Sequence, residues 1–480
     1  MVDGVRDSGS DRFSVAVPAT PSPMPTTPRN ADRMAAAWLG LDEQWWIAAL
    51  VIGVCLLHVV TATWFPAPWT DEVMYSDPAV RWLVGKGFTS TAWPSQPSTE
   101  FWASNSPLHE NLLACWLAVF GISPTALRSI NVVFGGLAVW LLCMAARRGG
   151  WVTGRGWTVV LAVLLLTAMS MTKLLRYGRP DAITLLVAAA VVYEFAAGPE
   201  RWRWWYVVLL GAVVPWAGLQ LGAYAVGVFL VALLLAPARV WRFGLCLCGG
   251  MALGVASLLG YLAAHGVALC FLQNTVLSGH TVTGDMAQLA VFNDAKTLGR
   301  LGVRLGELGR SYQAWLRDPS FPWVIASLLA SALWAWRTRQ WTWRSPLGFG
   351  LLAGLGVPLF VMISGRYPWH YTWMGYIIVA VSAAAALSQL WPRMGPVMRG
   401  VTAVPLLVSV LVGTPLAFRN ALRDPLVDWD RVETFFREQV RPTDHALVLP
   451  SLYYVSTAHA AETYLPTYGG GRRLREWPAD

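Results

Sequence analysis

Charge is what this chain has least of. Over 480 residues, Asp, Glu, Lys and Arg together make up 13%, against 55% hydrophobic residues. That balance excludes an ordinary soluble enzyme, in which roughly 25% of residues are charged. Lysine is nearly missing, confined to Lys86, Lys173 and Lys296, so the net charge of +9 rests on arginine. The arginines come in short clusters between apolar runs, a pattern that sets membrane topology and excludes a nucleic-acid partner as the reason for the charge. The six cysteines (Cys55, Cys115, Cys143, Cys246, Cys248 and Cys270) lie in or beside apolar segments. They offer neither a disulfide framework nor metal-ligand spacing and read as small buried residues. A signal peptide is missing too, because the first apolar run starts too far in and lacks a cleavage site. No internal repeat of the soluble type is present.

What the chain does have is a series of apolar runs reaching the ~20 residues that span a ~30 Å hydrocarbon core. Residues 1–40 are rich in Pro, Ser, Thr, Ala and Arg and are predicted to be a disordered cytoplasmic tail. The first span covers Trp45 to Trp64, and Arg29 and Arg33 before it place Asp71 outside. The next apolar stretch, Leu108 to Ile122, is too short to cross and reads as an external interfacial helix. Only that placement puts Arg147/Arg148/Arg155, Arg201/Arg203, Arg239/Arg242, Arg337/Arg339/Arg344 and Arg393/Arg399 all inside.

Further spans follow at 126–146, 154–173, 181–198, 243–270, 321–337, 346–364, 371–391 and 400–418, with a hairpin over 204–238. The prediction is an all-α polytopic bundle of about 11 transmembrane helices with external juxtamembrane helices. Residues 41–418 form its membrane domain, with external loops 65–125 and 271–320, and 419–480 form a small external C-terminal segment. In that segment Asp430–Val440 reads as a helix and Ala446–Leu449 as a strand.

This topology gathers the chemically purposeful side chains on one face. Asp71 and Glu72 follow the first span directly, with Thr70 placed to cap a helix starting at Asp71. Lys173, Arg176 and Arg179 recur every three residues at an outer boundary, which predicts three cations along one side of a helix. Positive charge there opposes the usual bias, and a phosphate at headgroup depth or ordinary anionic membrane lipid would explain it. Pro180 starts a fresh helix with Asp181 in its first turn. Arg366, His370 and Tyr371 supply a second cationic and hydrogen-bonding group, and Tyr75, Glu110 and His280 complete the polar set.

The order of these features resembles the GT-C glycosyltransferases, in the branch that holds protein O-mannosyltransferases and lipid A aminoarabinose transferases. The residues carrying the resemblance are Asp71-Glu72 with Tyr75, Gly85 and Gly87, Ser106-Pro107-Leu108, Gly121, Ala126-Leu127-Arg128, Arg176, Arg179-Pro180-Asp181 and Arg366-Tyr367-Pro368-Trp369-His370-Tyr371. The likeness covers roughly residues 45 to 390. It implies Asp71 as the catalytic carboxylate and a polyprenyl-phosphate sugar as donor. Where many members carry Lys-Pro-Pro or Glu-Lys-Pro-Pro, this chain has Asn105-Ser106-Pro107, which leaves a divalent metal or phosphate-binding lysine there open.

On that reading Lys173, Arg176, Arg179, Arg366, His370 and Tyr371 bind the donor phosphate, and Asp71 is the base. Glu72 orients the acceptor or the base, and Asp181, Tyr75, Glu110 and His280 support. Transfer would invert the anomeric carbon, on the external or periplasmic side of a bacterial plasma (inner) membrane. The acceptor would be an envelope glycan, lipid or protein. A lipid-linked glycan polymerase or ligase is the near alternative. A transporter or flippase fits less well, because the spans carry few ionisable residues.

Overall fold

The structure, a computed structural model, describes residues 43–63, 68–93, 96–154, 156–235, 237–272, 297–356, 371–423 and 429–465. These are almost wholly helical. The helices are α1 (Glu43–Val60), α2 (Thr70–Leu83), α3 (Leu108–Phe120), α4 (Pro124–Arg148), α5 (Trp157–Thr167), α6 (Met169–Arg176), α7 (Asp181–Ala196), α8 (Trp204–Ala217), α9 (Leu219–Leu235) and α10 (Pro237–Ala264). They continue as α11 (Thr297–Arg317), α12 (Phe321–Arg337), α13 (Thr372–Leu390), α14 (Pro396–Val412), α15 (Thr414–Arg423), α16 (Trp429–Gln439) and α17 (Tyr453–His459). Two three-residue strands, β1 (His445–Leu447) and β2 (Glu462–Tyr464), pair in parallel on either side of α17.

The chain is an integral membrane protein. Among the described residues five helices are long and apolar enough to cross a bilayer, and two bent pairs raise the number to seven. Eleven crossings are therefore not reached by length and composition. The shortfall lies in α7, α8 and α9, of 16, 14 and 17 residues, and in the predicted span 346–364, which runs past the described residues at 356. At 1.5 Å per residue α8 is only about 21 Å long. It gains its hold sideways: a Cβ at Gly250 of α10 would lie 2.1 Å from the Val208 carbonyl oxygen, so α8 and α10 meet backbone to backbone.

Several helices run between one end of the bundle and the other, and this collects the polar residues. Helix α4 starts beside α2 and finishes at Arg147 and Arg148, and α6 and α7 meet at Arg176 to Asp181 on the starting side. The predicted span 154–173 is in fact α5 and α6, bent by 62° at Ala168, whose backbone is extended. The Met169 amide freed by the break donates to Ser320 Oγ at 3.1 Å.

Helix α2 is anchored by two distant segments of the chain. On the bundle side Glu72, fully buried, receives two hydrogen bonds of 2.8 Å from Arg128 of α4. Arg128 spends its remaining Nη1 on the Ala62 carbonyl at the end of the first span, 2.6 Å away. The C-terminal segment docks on the same helix, next to that pair. Tyr454 shares a 2.9 Å hydrogen bond with Ser76, Tyr453 donates to Asp77, and Glu462 pairs with Arg81 and Lys86. Asp77 also fastens the following loop, accepting from the Ser90 hydroxyl (2.6 Å) and the Thr91 and Ala92 amides (2.7 and 3.0 Å).

A buried pair broken on one side leaves an uncompensated charge. Arg128→Met should therefore cost about 3–5 kcal/mol, with Glu72→Leu/Arg128→Met recovering a large part of it. Thermal unfolding of the purified protein in detergent checks both.

Candidate active site

The site forms where the first turn of α2 meets the bend between α6 and α7. Its centre is Arg179. Nη1 of Arg179 donates to Asp71 Oδ2 at 3.0 Å, and Nε lies 2.9 Å from Asp181 Oδ2. One guanidinium thus serves two carboxyl groups. The rings of Trp69, Tyr75 and Tyr371 surround it, with centroids 5.7, 5.9 and 5.9 Å from the guanidinium carbon.

The local sequence explains this convergence. Helix α2 begins at Thr70 with Trp69 at the cap position, so Thr70 is inside the first turn and not its cap. Asp71 sits in that turn, where the helix dipole favours a carboxylate. The segment 177–180 is shaped by its neighbours. Arg179 precedes a proline, which disfavours helical backbone there. Gly178 has no room for a side chain, since a Cβ would lie 2.2 Å from Leu127 and 2.7 Å from Glu72. Asn131 of α4 donates to the Tyr177 and Arg179 carbonyls and fixes the bend in place.

These features alter the predicted cation stripe. Helix α6 ends at Arg176, so Lys173, Arg176 and Arg179 do not lie along one side of a helix. Lys173 is exposed. Arg176 is fully buried, donates to the Thr61 hydroxyl (2.9 Å) and carbonyl, and lies over the Phe418 ring. Arg179 alone of the three reaches the acids. Glu72, although next to Asp71, is committed on both oxygens to Arg128. Tyr75 and Tyr371 stand on the ring wall around Arg179, while Glu110 is buried in the first turn of α3. Arg366, His370 and His280 lie outside the described residues.

The electrostatics favour a poised carboxyl. Burial raises the Asp71 carboxyl above its ordinary value of 3.8; Arg179 lowers it and Asp181 raises it again. Burial disfavours the Arg179 charge, but Asp181 and Asp71 outweigh it and keep the guanidinium protonated. Burial also pushes the Tyr75 phenol up, so it remains a neutral hydroxyl. Among the described residues no three His, Cys, Asp or Glu side chains gather as a metal-ligand set.

Two residues that matter here were not singled out for a role from sequence. Arg128 was visible as an arginine at the outer start of a span, where topology does not ask for one. Asn131 was visible as an amide one turn further in, costly there unless it serves the fold or the site.

No family model matches the chain, and no curated protein matches it. Solved structures do. ArnT from Cupriavidus metallidurans bound to undecaprenyl phosphate superposes with a TM-score of 0.55 at 14% identity, over 88% of this chain and 85% of that one. The apo form of ArnT gives 0.54 at 15% identity, over 92% and 89%. The archaeal oligosaccharyltransferase AglB from Archaeoglobus fulgidus, in complex with an inhibitory peptide and a dolichol-phosphate, gives 0.48 at 13%, over 89% and 65%. The two ArnT matches show that the chain has a GT-C-like fold.

If Asp181 and Asp71 share Arg179, Asp181→Asn leaves Asp71 as the guanidinium's one carboxylate partner. The Asp71 carboxyl should then titrate at lower pH than in the parent protein, read from its carboxyl band by difference infrared spectroscopy.

Proposed function

We propose that this protein is a membrane glycosyltransferase that moves a sugar from a polyprenyl-phosphate donor to an acceptor hydroxyl on the external face. The observation that carries the reading is the meeting of Asp71 with Arg179 and Asp181 across 108 residues of sequence at the mouth of a GT-C-like bundle. ArnT, which shares the fold, is bound to undecaprenyl phosphate. The membrane setting agrees with a donor that is itself a membrane lipid. The acceptor class is an envelope glycan, lipid or protein.

In this mechanism Asp71 takes the proton from the acceptor hydroxyl as that oxygen bonds to the anomeric carbon. The bond from that carbon to the phosphate oxygen breaks on the opposite face, and the lipid phosphate leaves with both electrons. Configuration at the anomeric carbon inverts. A base works best when its pKa approaches the operating pH, and the raised Asp71 carboxyl moves in that direction. The leaving phosphate needs cations at headgroup depth. We assign that role to Arg179 and the exposed Lys173, and keep Arg366 and His370 as candidates on sequence alone. Arg176 and Glu72 act at one remove, holding the end of α1 and the start of α2.

Asp71→Asn should abolish transfer of radiolabelled sugar from a polyprenyl-phosphate donor while the protein stays inserted; full activity in that variant sinks the assignment. The rate should also fall on the acid side with a one-proton limb whose midpoint lies above 3.8, because Asp71 acts only when ionised and its carboxyl is raised. In Asp181→Asn that limb should move to lower pH.

A further inference from the structure

We infer that His109 and Glu110, in the first turn of α3, form the sugar-recognising wall beside Arg179 and read the hydroxyls of an uncharged sugar. The assignment rests on the transferase reading above and names what that reading leaves open.

The turn is held next to the site by its neighbours. Ser106 Oγ donates to the Pro215 carbonyl at 2.8 Å, and Leu108 packs with Val187, Val214 and Ala217. This sets the start of α3 against the end of α8 and the middle of α7, the helix that begins at Asp181. The His109 ring faces the backbone of Gly178, which immediately precedes Arg179. Glu110 lies three, four and seven residues before Leu113, Ala114 and Leu117, so helical period sets it on their face. That face packs with Val73, Met74, Trp93 and Trp102, and Trp93 meets the Tyr75 ring edge-on at 5.4 Å.

Both side chains are completely buried, at 1% and 0% exposure, yet no side chain among the described residues meets their polar atoms. Both imidazole nitrogens and both carboxyl oxygens stand with backbone alone nearby. Groups like these are normally paired in a core; where they gather beside a reactive centre, a polar ligand is the natural partner. Buried Trp102 adds an indole N–H in the same condition. Imidazole, carboxyl and indole together match a sugar ring, which offers hydroxyls at its edge and C–H groups on its face. Burial lowers the His109 imidazole to about 3 and raises the Glu110 carboxyl well above its ordinary value, so burial disfavours the charged form of each. A charged sugar would have to bring its charge into a wall where burial disfavours charge, or ionise Glu110 to balance it, a cost that a neutral sugar avoids.

The test measures binding of purified full-length protein to three carriers: undecaprenyl phosphate, undecaprenyl-phosphate mannose and undecaprenyl-phosphate 4-aminoarabinose. The parent should hold the mannose carrier about tenfold or more tighter than the bare phosphate. Glu110→Leu and His109→Leu should each erase most of that margin and leave the bare carrier's affinity unchanged, while Glu110→Gln keeps it. Should the leucine variants fail to fold, deoxy-mannose carriers on the parent protein decide, and at least one should lose a comparable margin. The inference is overturned if no deoxy carrier is weakened, if the leucine variants keep the margin, or if the 4-aminoarabinose carrier binds tightest and needs an ionised Glu110. If the parent binds none of the carriers, the transferase reading itself falls, and this assignment with it.

Discussion

Two adjacent acids at the start of α2 are each held by an arginine from a different part of the chain, and the site depends on that division. Glu72 and Arg128 form a closed pair at 2.8 Å with essentially no solvent contact. Such a pair contributes less to stability than to position, because the cost of desolvating both charges offsets most of their attraction. What it secures is the place of the next residue. Asp71 keeps 31% of its side-chain surface exposed and shares its arginine with Asp181. One acid is locked so that the other can be available.

The same logic runs through the helix ends. The bend at Ala168, the crowded backbone at Gly178 and the proline at 180 all interrupt what would be a continuous hydrophobic run. Each interruption turns a polar side chain away from lipid and toward another element. Arg176 ends on Thr61, Arg179 on Asp71 and Asp181, and Asn131 on the carbonyls between them. A continuous helix would have pointed three cations at the membrane surface; the broken one folds two of them inward.

Much of this was legible in the sequence. Hydrophobic length gave α1, α4, α12, α13 and α14 within a few residues, and the short length of 108–122 separated α3 from the longer apolar helices. The Pro180-Asp181 helix start and the acidic first turn of α2 also follow from local chemistry. The cation stripe did not survive, because three-residue spacing says nothing of where a helix stops, and the stop depends on Leu127 and Glu72 from distant segments. Nor could spacing reveal that Glu72 is spoken for, since its partner lies 56 residues on. The C-terminal segment looked peripheral for the same reason. Its helix at 430–440 and strand at 446–449 were readable from periodicity, but its fit is visible only against α2.

That fit sets the order in which the molecule can be assembled. Tyr453 reaches Asp77 across 376 residues and Glu462 reaches Arg81 across 381. During synthesis the helix bearing Asp71 leaves the ribosome early, yet the loop beside it cannot be locked until the remaining bundle has been threaded through the bilayer. Contacts of such long range close late. A nascent chain stalled anywhere in the bundle therefore carries Asp71 on a helix that still lacks its clasp, so closure of this end marks the completion of insertion.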